Sequence, residues 1–151
     1  MATRSTIALE YADGTVDQVY CHWDGYLEHN GKILFEHYAD PFVLRELMDL
    51  GDISSLGPKI GEKHAFSQFD LPKEEVEAYK ALTENWTTFY GRDRGETGAS
   101  AKRFKSFADY KANFQHEEYA YILRTDGKWY VKCYDKGFEL LALAMAEEAP
   151  M

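Results

Sequence analysis

Two Asp-Gly steps, Asp13-Gly14 near the start of the chain and Asp126-Gly127 near its end, constrain the fold more than any other feature. Each lies between β-favouring runs: Ser5 to Tyr11 and Val16 to Trp23 in the first case, Glu118 to Arg124 and Lys128 to Tyr134 in the second. An Asp-Gly step so placed is a strong hairpin signal, because a type I′ turn needs positive φ at both central positions. An isolated hairpin is marginal in water, so the two are expected to join into one four-stranded antiparallel sheet.

Between the hairpins the apolar period lengthens from two to about 3.6. Asp40-Pro41 reads as an N-cap with proline in the first turn, followed by the stripe Val43, Leu44, Leu47, Met48 and Leu50 and by Gly51 as the stop. A second helix is expected from about Pro72 to Trp86, and a third from Ser106 to about Phe114 behind a capping-box-like Ser106 and Asp109. Shorter helices are expected at Glu28 to Tyr38, with Leu34, Phe35 and Tyr38 inward, and at Phe138 to Ala146. The fold class is therefore α+β: the four-stranded antiparallel sheet with three to five helices between and after the hairpins. Asp52 to Leu71 reads as a long surface loop and Gly91 to Ser100 as a second one.

A chain of 151 residues with 15% aromatic and 28% charged residues has the composition of one globular domain, here 1–151, and not of a disordered segment. The net charge of -9 and a pI near 5.0 disfavour wrapping by long DNA or RNA. No apolar run reaches the length of a membrane span, and no signal-peptide pattern opens the chain, so a soluble cytoplasmic protein is expected. The charge is uneven. Residues 87–116 hold Arg92, Arg94, Lys102, Arg103, Lys105 and Lys111 against Asp93, Glu96 and Asp109, a local excess of three positive charges on an acidic molecule.

Two polar clusters are candidate sites. The first, Cys21-His22-Trp23-Asp24-Gly25-Tyr26, ends a strand, so His22 and Asp24 would share one face and Cys21 and Trp23 the other. A His and an Asp so placed could bind a metal or form a base with its orienting carboxylate, either role needing a partner such as His29, His37 or His64. The preferred alternative is a strand-end turn, with Trp23 and Tyr26 in the core, Asp24 as a cap and Gly25 supplying a special φ. The second cluster is Gly91-Arg92-Asp93-Arg94-Gly95-Glu96, where Arg92 and Arg94 could clamp an anion through their planar forks. It matches neither a Walker A loop nor a dinucleotide-binding loop. The competing reading is a solvated loop in which Asp93 and Glu96 neutralise the arginines.

Known catalytic templates are missing: there is no Gly-x-Ser-x-Gly elbow and no His-Glu-x-x-His helix. Cys21 and Cys133 are far apart and neither belongs to a Cys-x-x-Cys pair, so a zinc site is not expected. No metal or cofactor is expected. A hydrolase or transferase using His22, Asp24 or Glu96 ranks below the binding functions, since no template supports it.

Thr3 to Ala8, Val19 to Tyr26, Leu50 to Gly57 and Gly91 to Glu96, in that order, resemble a family of small uncharacterised proteins encoded by tailed bacteriophages and prophages. The His-Trp-Asp-Gly-Tyr and Gly-Arg-Asp-Arg-Gly-Glu blocks carry the likeness. The resemblance implies a phage product in the bacterial host cytoplasm, and no residue roles. Two functions compete. One is an acidic, non-enzymatic accessory protein that binds a host protein, such as a defence or nucleic-acid-handling factor, and inhibits or redirects it. The other is a small-molecule binder that holds an anionic or nucleotide-like ligand among His22, Asp24, Tyr26, Arg92, Asp93, Arg94 and Glu96.

Overall fold

In the computed structural model, which describes residues 3–114, 117–134 and 136–148, both hairpins form. β1 (Ser5–Glu10) pairs antiparallel with β2 (Val16–Cys21). β6 (Tyr119–Leu123) pairs antiparallel with β7 (Trp129–Cys133). The turns differ from the expected type I′. Only Gly14 and Gly127 have positive φ, while Asp13 and Asp126 accept bonds from the backbone N–H of Thr15 and Lys128. With Gly14 N–H bonded to Tyr11 O and Gly127 N–H to Arg124 O, each is a tight turn that places one glycine in the left-handed region.

The expected four-stranded antiparallel sheet is not what forms. Eight strands make one mixed sheet, in the order β4-β3-β2-β1-β6-β7-β8, with β5 also on β2. The hairpins meet through β1 and β6, which run parallel with Ile7 opposite Tyr121. Parallel neighbours need the chain to return to its starting end, and β2 makes that return, since Cys21 lies opposite Ser5 and Ser5 beside Tyr119. The long stretch between β2 and β6 leaves and re-enters at that end and contains β3 (Ile53–Ser55), β4 (Thr88–Phe89) and β5 (Lys102–Phe104). β3 and β5 share one edge of β2: Ile53 lies beside Cys21, and Phe104 to Lys102 lie beside Val16 to Gln18. β8 (Glu139–Leu140) closes the far side on β7.

The parallel join follows from two-sided burial. Ser5 to Leu9 and Ala120 to Leu123 are buried at every position, so β1 and β6 read as continuous apolar runs in their centres and not as an alternation. One sheet face, with Ile7, Leu9, Val19, Cys21, Ile53, Phe89, Tyr121 and Val131, packs on α1 (Lys32–His37), α2 (Pro41–Asp49) and α6 (Leu141–Glu148) through Leu34, Leu44, Leu47, Met48 and Leu141. The other face holds a smaller core of Ala8, Val16, Ile122 and Phe104 under Tyr110 of α5 (Phe107–Asn113).

Six helices form in all among the described residues, one more than the upper expectation. α2 follows the sequence reading: the Asp40 carboxylate accepts from Phe42 N–H, proline opens the helix, and the chain turns out at Gly51. α5 likewise starts at Ser106, whose hydroxyl accepts from Asp109 N–H. In the Glu28 to Tyr38 segment, a wide turn at Leu27–Gly31 precedes α1, and Phe35 faces solvent instead of the core. The expected long helix from Pro72 shortens to a 3-10 turn at Lys73–Glu75 and α3 (Val76–Thr83), with Trp86 beyond its end. The long loop at Asp52 begins with β3, and the Gly91 loop begins as α4 (Tyr90–Arg94). No helix among the described residues is long and apolar enough to cross a membrane.

Candidate functional site

The first cluster continues from β2 as backbone pairing. His22 and Trp23 N–H donate to Ile53 and Ser54 carbonyls of β3, carrying the chain past the strand end. Asp24 then takes φ +57, a left-handed conformation that Asp tolerates better than most residues. The special φ therefore belongs to Asp24 and not to Gly25. Glycine at 25 answers to space: a Cβ there would lie 2.7 Å from Ser5 Cβ and 2.9 Å from Thr3 O. The Gly25 carbonyl accepts from the buried Tyr121 hydroxyl at 2.6 Å, and Gly25 N–H donates to Thr3 O.

Asn30 is the hub of this turn. It is fully buried, and its Nδ2 lies within 3.3 to 3.4 Å of Ser5 Oγ, Cys21 Sγ and Trp23 O. Its Oδ1 lies 2.9 Å from His29 Nδ1. His22 is occupied by a neighbour on its own face, with Nδ1 2.7 Å from the Tyr20 hydroxyl. Burial pushes the Cys21 thiol up to about 12, which removes the thiolate a nucleophile needs. Trp23 and Tyr26 do not enter the core as expected: Trp23 is 44% exposed and Tyr26 is at the surface.

The second cluster is a charged clip. Arg92 has five N–H bonds to donate, and all find acceptors in the protein. Nε and one terminal nitrogen bind the Asp93 carboxylate at 3.0 and 3.1 Å, and the remaining bonds run to the carbonyls of Thr87, Ile60 and Gly61 at 2.8 to 3.2 Å. The guanidinium also lies over Phe89, 4.6 Å from the ring centre. Asp93, whose side chain is wholly buried, accepts additionally from Phe89 N–H at 2.8 Å and from His64 N–H at 3.0 Å. His64 completes the group. Its Nδ1 lies 2.7 Å from the Glu62 carbonyl, which can only accept, so Nδ1 carries the proton, and Nε2 lies 3.0 Å from Thr88 Oγ1.

Arg94 and Glu96 stay at the surface. Their 3.9 Å contact is loose, and Arg94 lies over the Phe66 ring at 5.1 Å. Of the other cations in this basic stretch, Arg103 forms a two-point pair with Asp17 at 2.8 and 2.9 Å. Burial alone would push Asp17 up, but the bonds from Arg103 and Tyr11 outweigh it and hold the carboxyl below its ordinary value.

The two clusters are neighbours without forming one site. β3 stands between them: Asp52 accepts from Tyr20 N–H through its carboxylate and from Tyr90 N–H through its carbonyl. Among the described residues no hydrogen bond or ion pair links His22, Asp24 or Tyr26 to Arg92, Asp93, Arg94 or Glu96. Nor do three His, Cys, Asp or Glu side chains converge there as metal ligands. Sequence reasoning missed Asn30 as a hub and His64 as the third member of the clip. Asn30 carried a usable signal, a polar residue three positions after Leu27 and four before Leu34, where helical spacing calls for an apolar one. His64 carried none that tied it to the clip, since Thr88 and Asp93 lie more than twenty residues away and only the Glu62 carbonyl is local.

Comparison with protein-family models, with curated proteins and with solved structures finds no match to this chain, so its functional reading rests on its own residues.

Proposed function

We propose that the chain is a protein-binding factor without chemistry of its own, and that the host-directed role implied by the bacteriophage resemblance, inhibiting or redirecting a bacterial protein, is the form this binding takes. The observation that carries the reading is the set of aromatic side chains standing in solvent: Phe69 is 87% exposed, Phe42 is 81% exposed, and Trp23 joins them. Large exposed rings are effective interface anchors. Local pairing of Arg92 with Asp93 supports the same reading, because the arginine fork that could have held a small anion is directed at the fold itself.

Affinity isolation of the full chain from bacterial lysate, repeated with Phe42→Ser and Phe69→Ser, tests it. One stoichiometric partner, weakened by salt and lost with at least one variant, is the expected result. Recovery of no partner at low salt overturns it.

A further inference from the structure

Two cavities share Gly127, at the turn between β6 and β7, as a common wall. The first, of about 300 Å³, opens between that turn, the end of β1 and the start of α2, with Phe42 and Arg45 in its wall. The second, of about 410 Å³, opens between the same turn, α1 and the start of α6, with Phe35, Lys128 and Trp129 in its wall. Apart from its chain neighbours, no protein atom lies within 4 Å of the place where a side chain on Gly127 would begin, so the turn the two share presents open space there. Each is large enough for a bulky side chain. Phe35 and Phe42 stand at their mouths, 44% and 81% exposed.

The charge of this groove opposes that of the molecule. Its lining carries Arg45, Arg124 and Lys128 against Glu10 alone, in a chain of net charge -9. Glu10 is taken up by Arg124 at 3.1 and 3.2 Å and by Thr125 N–H. Two of the nearby carboxylates are committed as well, while Asp49 of α2 stands within electrostatic reach of Tyr11 in the wall. Asp40 caps α2, and Asp126 accepts from Lys128 N–H and from the Tyr130 hydroxyl. Arg45 and Lys128 have no ion pair among the described residues.

We propose that this groove docks a segment of another protein in which a large apolar side chain is flanked by Asp or Glu. The proposal rests on the protein-binding reading and narrows it to one surface and one partner chemistry. Apolar walls with Phe42 and Phe35 take the apolar anchor, and Arg45 and Lys128 meet the flanking carboxylates. A basic segment would face those cations unpaired. A second copy presents an acid-flanked ring of its own at Phe69-Asp70, but two bodies of charge -9 repel one another as they approach.

The test selects a random library of short displayed peptides on the immobilised full chain, then measures the winners against Phe42→Ser and against Arg45→Glu with Lys128→Glu. Phe42 and Lys128 are solvent-facing, so the variants keep the fold, which circular dichroism checks. Winners with Phe, Trp or Leu beside Asp or Glu, binding Phe42→Ser roughly thirty-fold more weakly and losing affinity on charge reversal, are the expected result. No enrichment, basic winners, or winners indifferent to both changes overturns the groove. So does a dimer in sedimentation that Phe42→Ser dissolves, which would make the occupant a second copy. The broader reading fails separately, only if the lysate experiment recovers no partner at all.

Discussion

The turn at His22 to Tyr26 and the turn at Arg92 to Glu96 look alike in sequence, each short, polar and glycine-containing, yet they hold the fold by different physics. The first works through neutral hydrogen bonds inside the main core: Asn30, Ser5, Tyr121 and the Gly25 backbone are all buried or in close contact. The second works through charge at the edge of an excursion. Residues 58–86 contain no buried position, whereas Ser5 to Leu9 are buried throughout. What ties that excursion down is largely Arg92, Asp93 and His64, together with the Lys59 backbone paired to Asn85 and Thr87. A neutral network embedded in a core stabilises the whole domain. A charged clip under an unburied excursion stabilises a part.

Breaking the charged side is expected to have the largest effect. Asp93→Ala leaves the nearly buried Arg92 guanidinium without its counter-charge, a change of about 3–5 kcal/mol for a buried pair. Limited proteolysis should show new cleavage between residues 58 and 86 while the sheet stays folded. On the neutral side, Asn30→Ala strands buried polar partners and should cost about 2–3 kcal/mol. Denaturant melts followed by tryptophan fluorescence and by circular dichroism should then shift together, as for a single cooperative unit.

A pH experiment sharpens the contrast. Asp17 has a lowered folded pKa, so its pairing with Arg103 contributes stability that is fully present above the unfolded value, about 3.9. That contribution disappears as the pH falls through the lower folded value. Unfolding midpoints of the parent should therefore drop more steeply below about pH 4 than those of Asp17→Asn. At neutral pH, Arg103→Ala should cost about 1 kcal/mol, since Arg103 itself is largely exposed. The smallest effect is expected at Asp24→Gly, which relieves a left-handed backbone but adds unfolded-state freedom, a net change of about 0.5 kcal/mol or less.

Much of the local structure was legible in the residues because its causes are local. The Asp-Gly turns, the Asp40-Pro41 start of α2 and the Ser106 cap of α5 each act within a few positions. The sheet order was not, because the parallel union of β1 with β6 joins segments over a hundred residues apart. Its trace was the unbroken apolar runs Ile7-Ala8-Leu9 and Ala120 to Leu123, which point to burial on both faces. The two- and three-residue strands β3, β4 and β5 are too short for any periodicity to register. The candidate clusters were visible as polar blocks, but their partners, Thr3, Ile60, Gly61 and His64, came from distant backbone that no spacing rule connects. Phe35, expected inward, shows the same limit: helical spacing marks a stripe but does not say where the neighbouring element stops covering it.

Native-state hydrogen exchange on the parent, Asp93→Ala and Asn30→Ala tests most directly the claim that one cluster holds a part and the other the whole. The account predicts that Asp93→Ala accelerates exchange at Lys59, His64 and Thr87 and leaves Ile7 and Tyr121 as slow as in the parent, whereas Asn30→Ala accelerates Ile7 and Tyr121 as well. Equal acceleration of the sheet amides by both substitutions would contradict it.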